Sequence, residues 1–139
     1  MALATPLAAA TPQQTLQQYE TAIRQQNLTA VEALLTDDLI IQLVLTPPGE
    51  EAITISLTRA EFLQHLRTLW SFSSAHILKI EKVRVEQPQG NRTRVQFHQQ
   101  EHYTLFGEDL HQVSDILIEL RDEDDSTKVG ALTVTTEGW

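Results

Sequence analysis

Residues 19–44 read YETAIRQQNLTAVEALLTDDLIIQLV, a passage whose hydrophobic period changes from helical to extended. Leu16, Tyr19, Ala22 and Ile23 recur three or four residues apart, the spacing of one apolar helix face, while Gln17, Gln18, Glu20 and Arg24 lie elsewhere. Towards the N-terminus, Thr11 is a capping residue, Pro12 suits the first helical position, and Gln14 completes a capping box. Asn27 interrupts this helix. A second, short helix is predicted from Thr29, with Glu32 closing another capping box and Val31, Leu34 and Leu35 as its apolar side. Asp37 and Asp38 end it, and the run LIIQLVL at 39–45 is β-branched and reads as a strand.

Downstream, TPPGEE at 46–51 is a turn and ITISL at 53–57 a short strand. Thr58 and Glu61 form a third capping box, followed by the stripe Phe62, Leu63, Leu66, Leu69 and Trp70 of a third helix. From there the chain reads as strand. In HILKIEKVRVE (76–86), Leu78 and Ile80 alternate in one parity and Val83 and Val85 in the other, which predicts a β-bulge near Glu81–Lys82. A turn QPQGN (87–91), a long strand from Arg92 to Phe106, a turn at Gly107–Asp109, a strand from Leu110 to Arg121, an acidic turn DEDDS and a last strand KVGALTVTT complete the order. Helices and strands segregated in this way predict an α+β fold. Three N-terminal helices pack on a curved antiparallel sheet, making a cone with an internal pocket.

The 139 residues suit one domain, predicted over 11–139, with 1–10 as a disordered or trimmed tail. Those ten residues, MALATPLAAA, lack the basic start of a secretory signal. The expectation is a cytoplasmic protein; a secreted or periplasmic one would follow if the tail were the remnant of a cleaved signal. A formal charge of −9 argues against nucleic acid and anionic membrane as partners. The absence of cysteine excludes disulfides, thiolate catalysis and zinc–sulfur sites. No apolar run is long enough to span a bilayer.

The order of elements, above all residues 19–44, resembles the nuclear transport factor 2-like superfamily, which includes ketosteroid isomerases, scytalone dehydratases and SnoaL-like polyketide cyclases. The resemblance runs from Thr11 to Trp139. It implies that Tyr19 is an oxyanion donor and that Asp115, kept protonated in an apolar pocket, is a second one. The resemblance also places the general base on the first strand, where this chain has Leu43. A leucine takes no proton, so ketosteroid isomerase activity is not expected.

Alternative readings of the same residues come from the chain itself. Tyr19 also fits a plain core tyrosine. The alternation Ile116, Ile118, Leu120 sets Ser114, not Asp115, on the apolar face of its strand. Glu101 alternates with Val95, Phe97, Gln99 and Tyr103, so it is a candidate pocket carboxylate and acid–base group, or else a solvated strand end. Leu43, Trp70, Phe97, Tyr103, Ser114 and Ile116 are the expected pocket lining. His98 and His102 lie about 13 Å apart along one strand and cannot share a metal. His102 and His111 could meet across the hairpin, and His98 or His102 with Asp115 is the available His–Asp pair. No compact metal spacing exists, and neither metal nor cofactor is expected.

Two functions follow. One is a module that binds a small apolar ligand or assembles as a homodimer through its sheet, because Val113 and Leu117 oppose Ile116 and Ile118 and a strand apolar on both sides needs two covers. The other is a small lyase or isomerase acting on an apolar carbonyl compound, with Tyr19 and Glu101 or Asp115 as acid–base groups.

Overall fold

The structure, a computed structural model, describes residues 11–47, 49–123 and 126–137. The predicted tail 1–10 therefore lies outside the described residues, as do Trp139 and the middle of the DEDDS turn. The elements are α1 (Pro12–Arg24), α2 (Leu28–Leu34), β1 (Leu35–Thr46), β2 (Ile53–Thr58), α3 (Arg59–Phe72), β3 (Ser73–Val85), β4 (Arg92–Leu105), β5 (Glu108–Glu123) and β6 (Ser126–Glu137).

Local chemistry starts the helices. Thr11 accepts from the Gln14 backbone N–H while the Gln14 side chain accepts from the Thr11 N–H; Thr58 and Glu61 do the same for α3. The second helix starts earlier than the sequence reading has it. Asn27, not Thr29, is its cap, with Oδ1 accepting from the Ala30 N–H at 3.1 Å. Asparagine ranks with the best capping residues, so the residue read as an interruption begins the next helix.

The strands form one six-stranded sheet in the order β2-β1-β6-β5-β4-β3. It is mixed, not antiparallel as the sequence predicts, because β1 pairs β6 in parallel. A parallel pair needs a long connection, and here nearly the whole chain supplies it. The chain passes through β2 and α3 to the far edge, then returns by the antiparallel meander β3–β6 to lie against β1.

Two bulges shape the β3 edge. The first shifts register between Glu81 and Arg84, with Lys82 at φ 56°, where the parity change predicts it. Val85 is half-buried beyond it, while Val83 is exposed, so only one of the two valines returns to the core. The second, between Ser74 and Ile77 with Ala75 at φ 52°, is not foreseen in the sequence. The β4–β5 connection is tighter than predicted. Phe106 and Gly107, at φ 52° and 80°, make a two-residue turn, and β5 already begins at Glu108. Two successive positive φ values are the mark of the hairpin turn that matches strand twist.

Helices α1 and α3 cover one face of the sheet, α1 against β3 and α3 against β1 and β2. Their apolar stripes (Leu16, Ala22, Ile23; Phe62, Leu66) join Ile41, Val95, Phe97, Ile116, Ile118, Leu120, Val129 and Leu132 in one core. Asp37 and Asp38 do not close α2. They sit in the irregular start of β1, and Asp38 accepts two bonds from Arg121 at 3.1 and 3.2 Å. The Arg121 guanidinium holds the Asp38 carboxyl below its usual range. Arg121 reaches it by lying flat over Gly130, where a β-carbon would overlap its side chain. Glycine inside this strand thus marks a close approach.

Candidate active site

Side chains of β4 alternate across the sheet, so Val95, Phe97, Gln99, Glu101 and Tyr103 all point towards the helices. On β5 the same rule turns Ser114, Ile116, Ile118 and Leu120 inward. Between this inner face, α1 and α3 lies a cavity of about 260 Å³. Tyr19 and Ile23 come from α1, Phe62, Leu66, Leu69 and Trp70 from α3, and Leu43, Val134 and Leu132 from the sheet wall. Its polar groups are Gln99, Glu101, Gln112, Ser114 and Thr136 from the strands, with His65 from α3.

Glu101 is the centre of the polar network. Its Oε1 accepts from Gln99 Nε2 at 2.7 Å, and its Oε2 lies 2.8 Å from His76 Nε2. The His76 and Glu101 side chains are only 5% and 19% exposed, so this pair is shielded from bulk water. With the carboxylate as acceptor, the imidazole donates through Nε2–H. One strand over, the Ser114 and Thr136 hydroxyls bond each other at 2.9 Å. Tyr19 is buried, and its hydroxyl is pushed above its ordinary value of 10.0, first by burial and then by the negative charge of Glu101. Tyr103 is shifted in the same direction by the same two causes.

The sequence candidates separate cleanly. Tyr19, Leu43, Trp70, Glu101, Tyr103, Ser114 and Ile116 surround the cavity. Phe97 faces inward but, at 3% exposure, is enclosed in the hydrophobic core and does not line the cavity. Asp115 stands apart. Strand alternation puts its side chain on the outer face, 73% exposed, with Oδ1 3.1 Å from His98 Nδ1. Of the two available His–Asp pairs, His98 with Asp115 therefore exists as a contact, but on the far side of the sheet from the cavity. His102 and His111 stand opposite one another on that outer face at 6.1 Å between ring centres. Among the described residues, no three histidines, cysteines or acidic groups gather as metal ligands.

Sequence reasoning missed His76 as a site residue. The signal was available: His76, Leu78 and Ile80 share one parity, and Leu78 is buried. Partnering it with Glu101 needed the register of β3 on β4, which the bulge at Ser74–Ile77 sets.

No protein-family model and no curated protein matches the chain. Solved structures do. A ketosteroid isomerase-like protein from Erwinia carotovora atroseptica is 20% identical, with a TM-score of 0.63 over 88% of this chain and 90% of that one. An NTF2-like protein from Cytophaga hutchinsonii is 17% identical, with a TM-score of 0.69 over 87% and 91%. A hexachlorocyclohexane dehydrochlorinase is 12% identical, with a TM-score of 0.67 over 89% and 81%. Such identities speak to architecture and leave the chemistry open. With three helices and a six-stranded mixed sheet among its described residues, the chain has the nuclear transport factor 2-like fold.

Proposed function

We propose that this chain binds a small, mostly apolar molecule in the cavity, with Glu101 as the polar anchor. The observation that carries the reading is a shielded carboxylate, held by Gln99 and His76, on the wall of a mostly apolar enclosure. A buried carboxylate is costly unless it is paired and hydrogen-bonded; Gln99 and His76 meet that need for Glu101, with one acceptor position on each oxygen to spare. Size agrees: an apolar cavity of about 150 Å³ already accepts benzene. At about 260 Å³ the present cavity has room for one ring and a polar substituent. Leu43 on the wall supports binding over the isomerase reading, since β1 lines the cavity with Leu43 and Leu45, neither of which is a base. Calorimetric titration with benzyl alcohol tests this. We expect binding that weakens at least about tenfold in Leu43→Trp, whose indole would fill the cavity. No binding to the wild type, or unchanged binding in a folded variant, would refute it.

The His76–Glu101 contact favours a second reading, acid–base catalysis on a carbonyl compound. A carboxylate hydrogen-bonded to imidazole can take a proton from carbon while a neighbouring phenol, Tyr19 or Tyr103, donates to the developing enolate. Deuterium uptake into the methyl group of acetophenone reads this step without knowledge of the natural substrate. Catalysis predicts uptake above the buffer rate and a loss of about a hundredfold or more in Glu101→Gln. Uptake at the buffer rate with the wild type would leave binding alone.

A further inference from the structure

The charge in the cavity is one-sided. Glu101 brings a carboxylate, and among the described residues no lysine or arginine joins the lining. Gln99 gives one neutral donor to Oε1, and His76 Nε2 occupies Oε2. Each carboxylate oxygen has two lone pairs, so each keeps an acceptor position open. The same lining carries the aromatic side chains of Tyr19, Phe62, Trp70 and Tyr103. Burial first, and the charge of Glu101 second, raises both phenols above their ordinary value.

Ligand classes meet this arrangement differently. An anion would face Glu101 with no lysine or arginine among the described lining residues, and with only the imidazoles of His65 and His76 to offset the repulsion. A neutral ligand would add nothing to the one basic partner the carboxylate already has, His76. An ammonium satisfies both parts, because it pairs with the carboxylate and is drawn to the negative faces of aromatic rings. The formal charge of −9 also raises the local concentration of cations over anions around the chain.

We propose that the cavity selects a small organic cation, an amine on an apolar body, with its nitrogen against Glu101 and the rings of Tyr19, Trp70 and Tyr103. This rests on the ligand-binding reading above and names its ligand class. The apolar body lies against Leu43, Leu66, Leu69 and Val134, while the amine displaces no existing bond of Glu101. His76 keeps Nε2 on Oε2, and the incoming N–H groups use the free lone pairs.

The experiment compares benzylamine, benzyl alcohol and benzoate, which share a ring and differ in charge, by calorimetry at pH 7. The wild type is expected to bind benzylamine about tenfold or more tighter than benzyl alcohol, with benzoate weakest. Glu101→Gln, close in shape, should bring benzylamine to within about twofold of the alcohol measured on the same variant. Trp70→Leu, checked by its thermal melt, should weaken benzylamine more than the alcohol. Alcohol binding equal to or tighter than amine, or an amine preference that survives Glu101→Gln, would overturn the cation proposal and leave ligand binding standing. Failure of all three probes to bind the wild type would overturn both.

Discussion

Ile118→Ala should cost about 3–4 kcal/mol of folding stability, a large part of what a domain of this size possesses. Ile118 is 1% exposed and lies between Val95 on β4 and Leu132 on β6, themselves almost fully buried. All three strands are interior to the sheet, so the walls of the void are fixed by hydrogen-bonded backbone on both sides. A void that cannot collapse is the expensive kind. Ile40 is the control: it is 59% exposed on β1, and Ile40→Ala should change stability by no more than about 0.5 kcal/mol. Urea unfolding should show the midpoint of Ile118→Ala well below wild type at an unchanged slope. Equal costs at the two positions would mean that the core is not centred on β5.

The second large effect is alkaline. An unfolded tyrosine ionises near pH 10. In the folded chain, burial and then the charge of Glu101 hold the Tyr19 hydroxyl protonated well above that. Above pH 10 the unfolded state thus releases a proton that the native state keeps. The stability tied to this group is complete below pH 10 and is lost as pH rises towards the folded value. The slope is about 1.4 kcal/mol per pH unit, so the rise from pH 10 to 12 removes about 2.5 kcal/mol. Tyr103 adds a loss of the same sign. Because Tyr19→Phe removes only the first contribution, the difference in unfolding free energy between wild type and variant should shrink by about 2.5 kcal/mol over that range. Lysine and arginine titrations are common to both chains and cancel. Parallel curves would place the Tyr19 hydroxyl in water.

How far the sequence could be read depended on the range of each interaction. Capping boxes at Thr11 and Thr58 are bonds between residues three apart, so the helix starts were legible. Strand parity is also local. It predicted the bulge at Glu81–Lys82 and set Ser114, not Asp115, on the inner face. What failed was long-range. Parallel pairing of β1 with β6 depends on where the meander ends, which no window of residues contains. Asp38 looked like a helix stop because its partner Arg121 is 83 positions away. The same holds for the site. Glu101 was visible from alternation, whereas its partner His76 sits 25 positions back, behind a bulge that the pattern does not announce. The resemblance supplied Tyr19 and the empty base position at Leu43, both on the cavity wall, and it supplied Asp115, which the register turns outward.

We propose that ligands occupy the inner cavity and not the outer sheet face. A titration with benzyl alcohol followed through backbone amide shifts decides between them, since both faces share the same strands. Binding in the cavity should shift Tyr19, Trp70, Glu101, Tyr103 and Ser114, with His98, Asp115 and Thr133 nearly still, although Asp115 is the next residue to Ser114. Shifts centred on His98, Asp115 and Thr133 instead would contradict it.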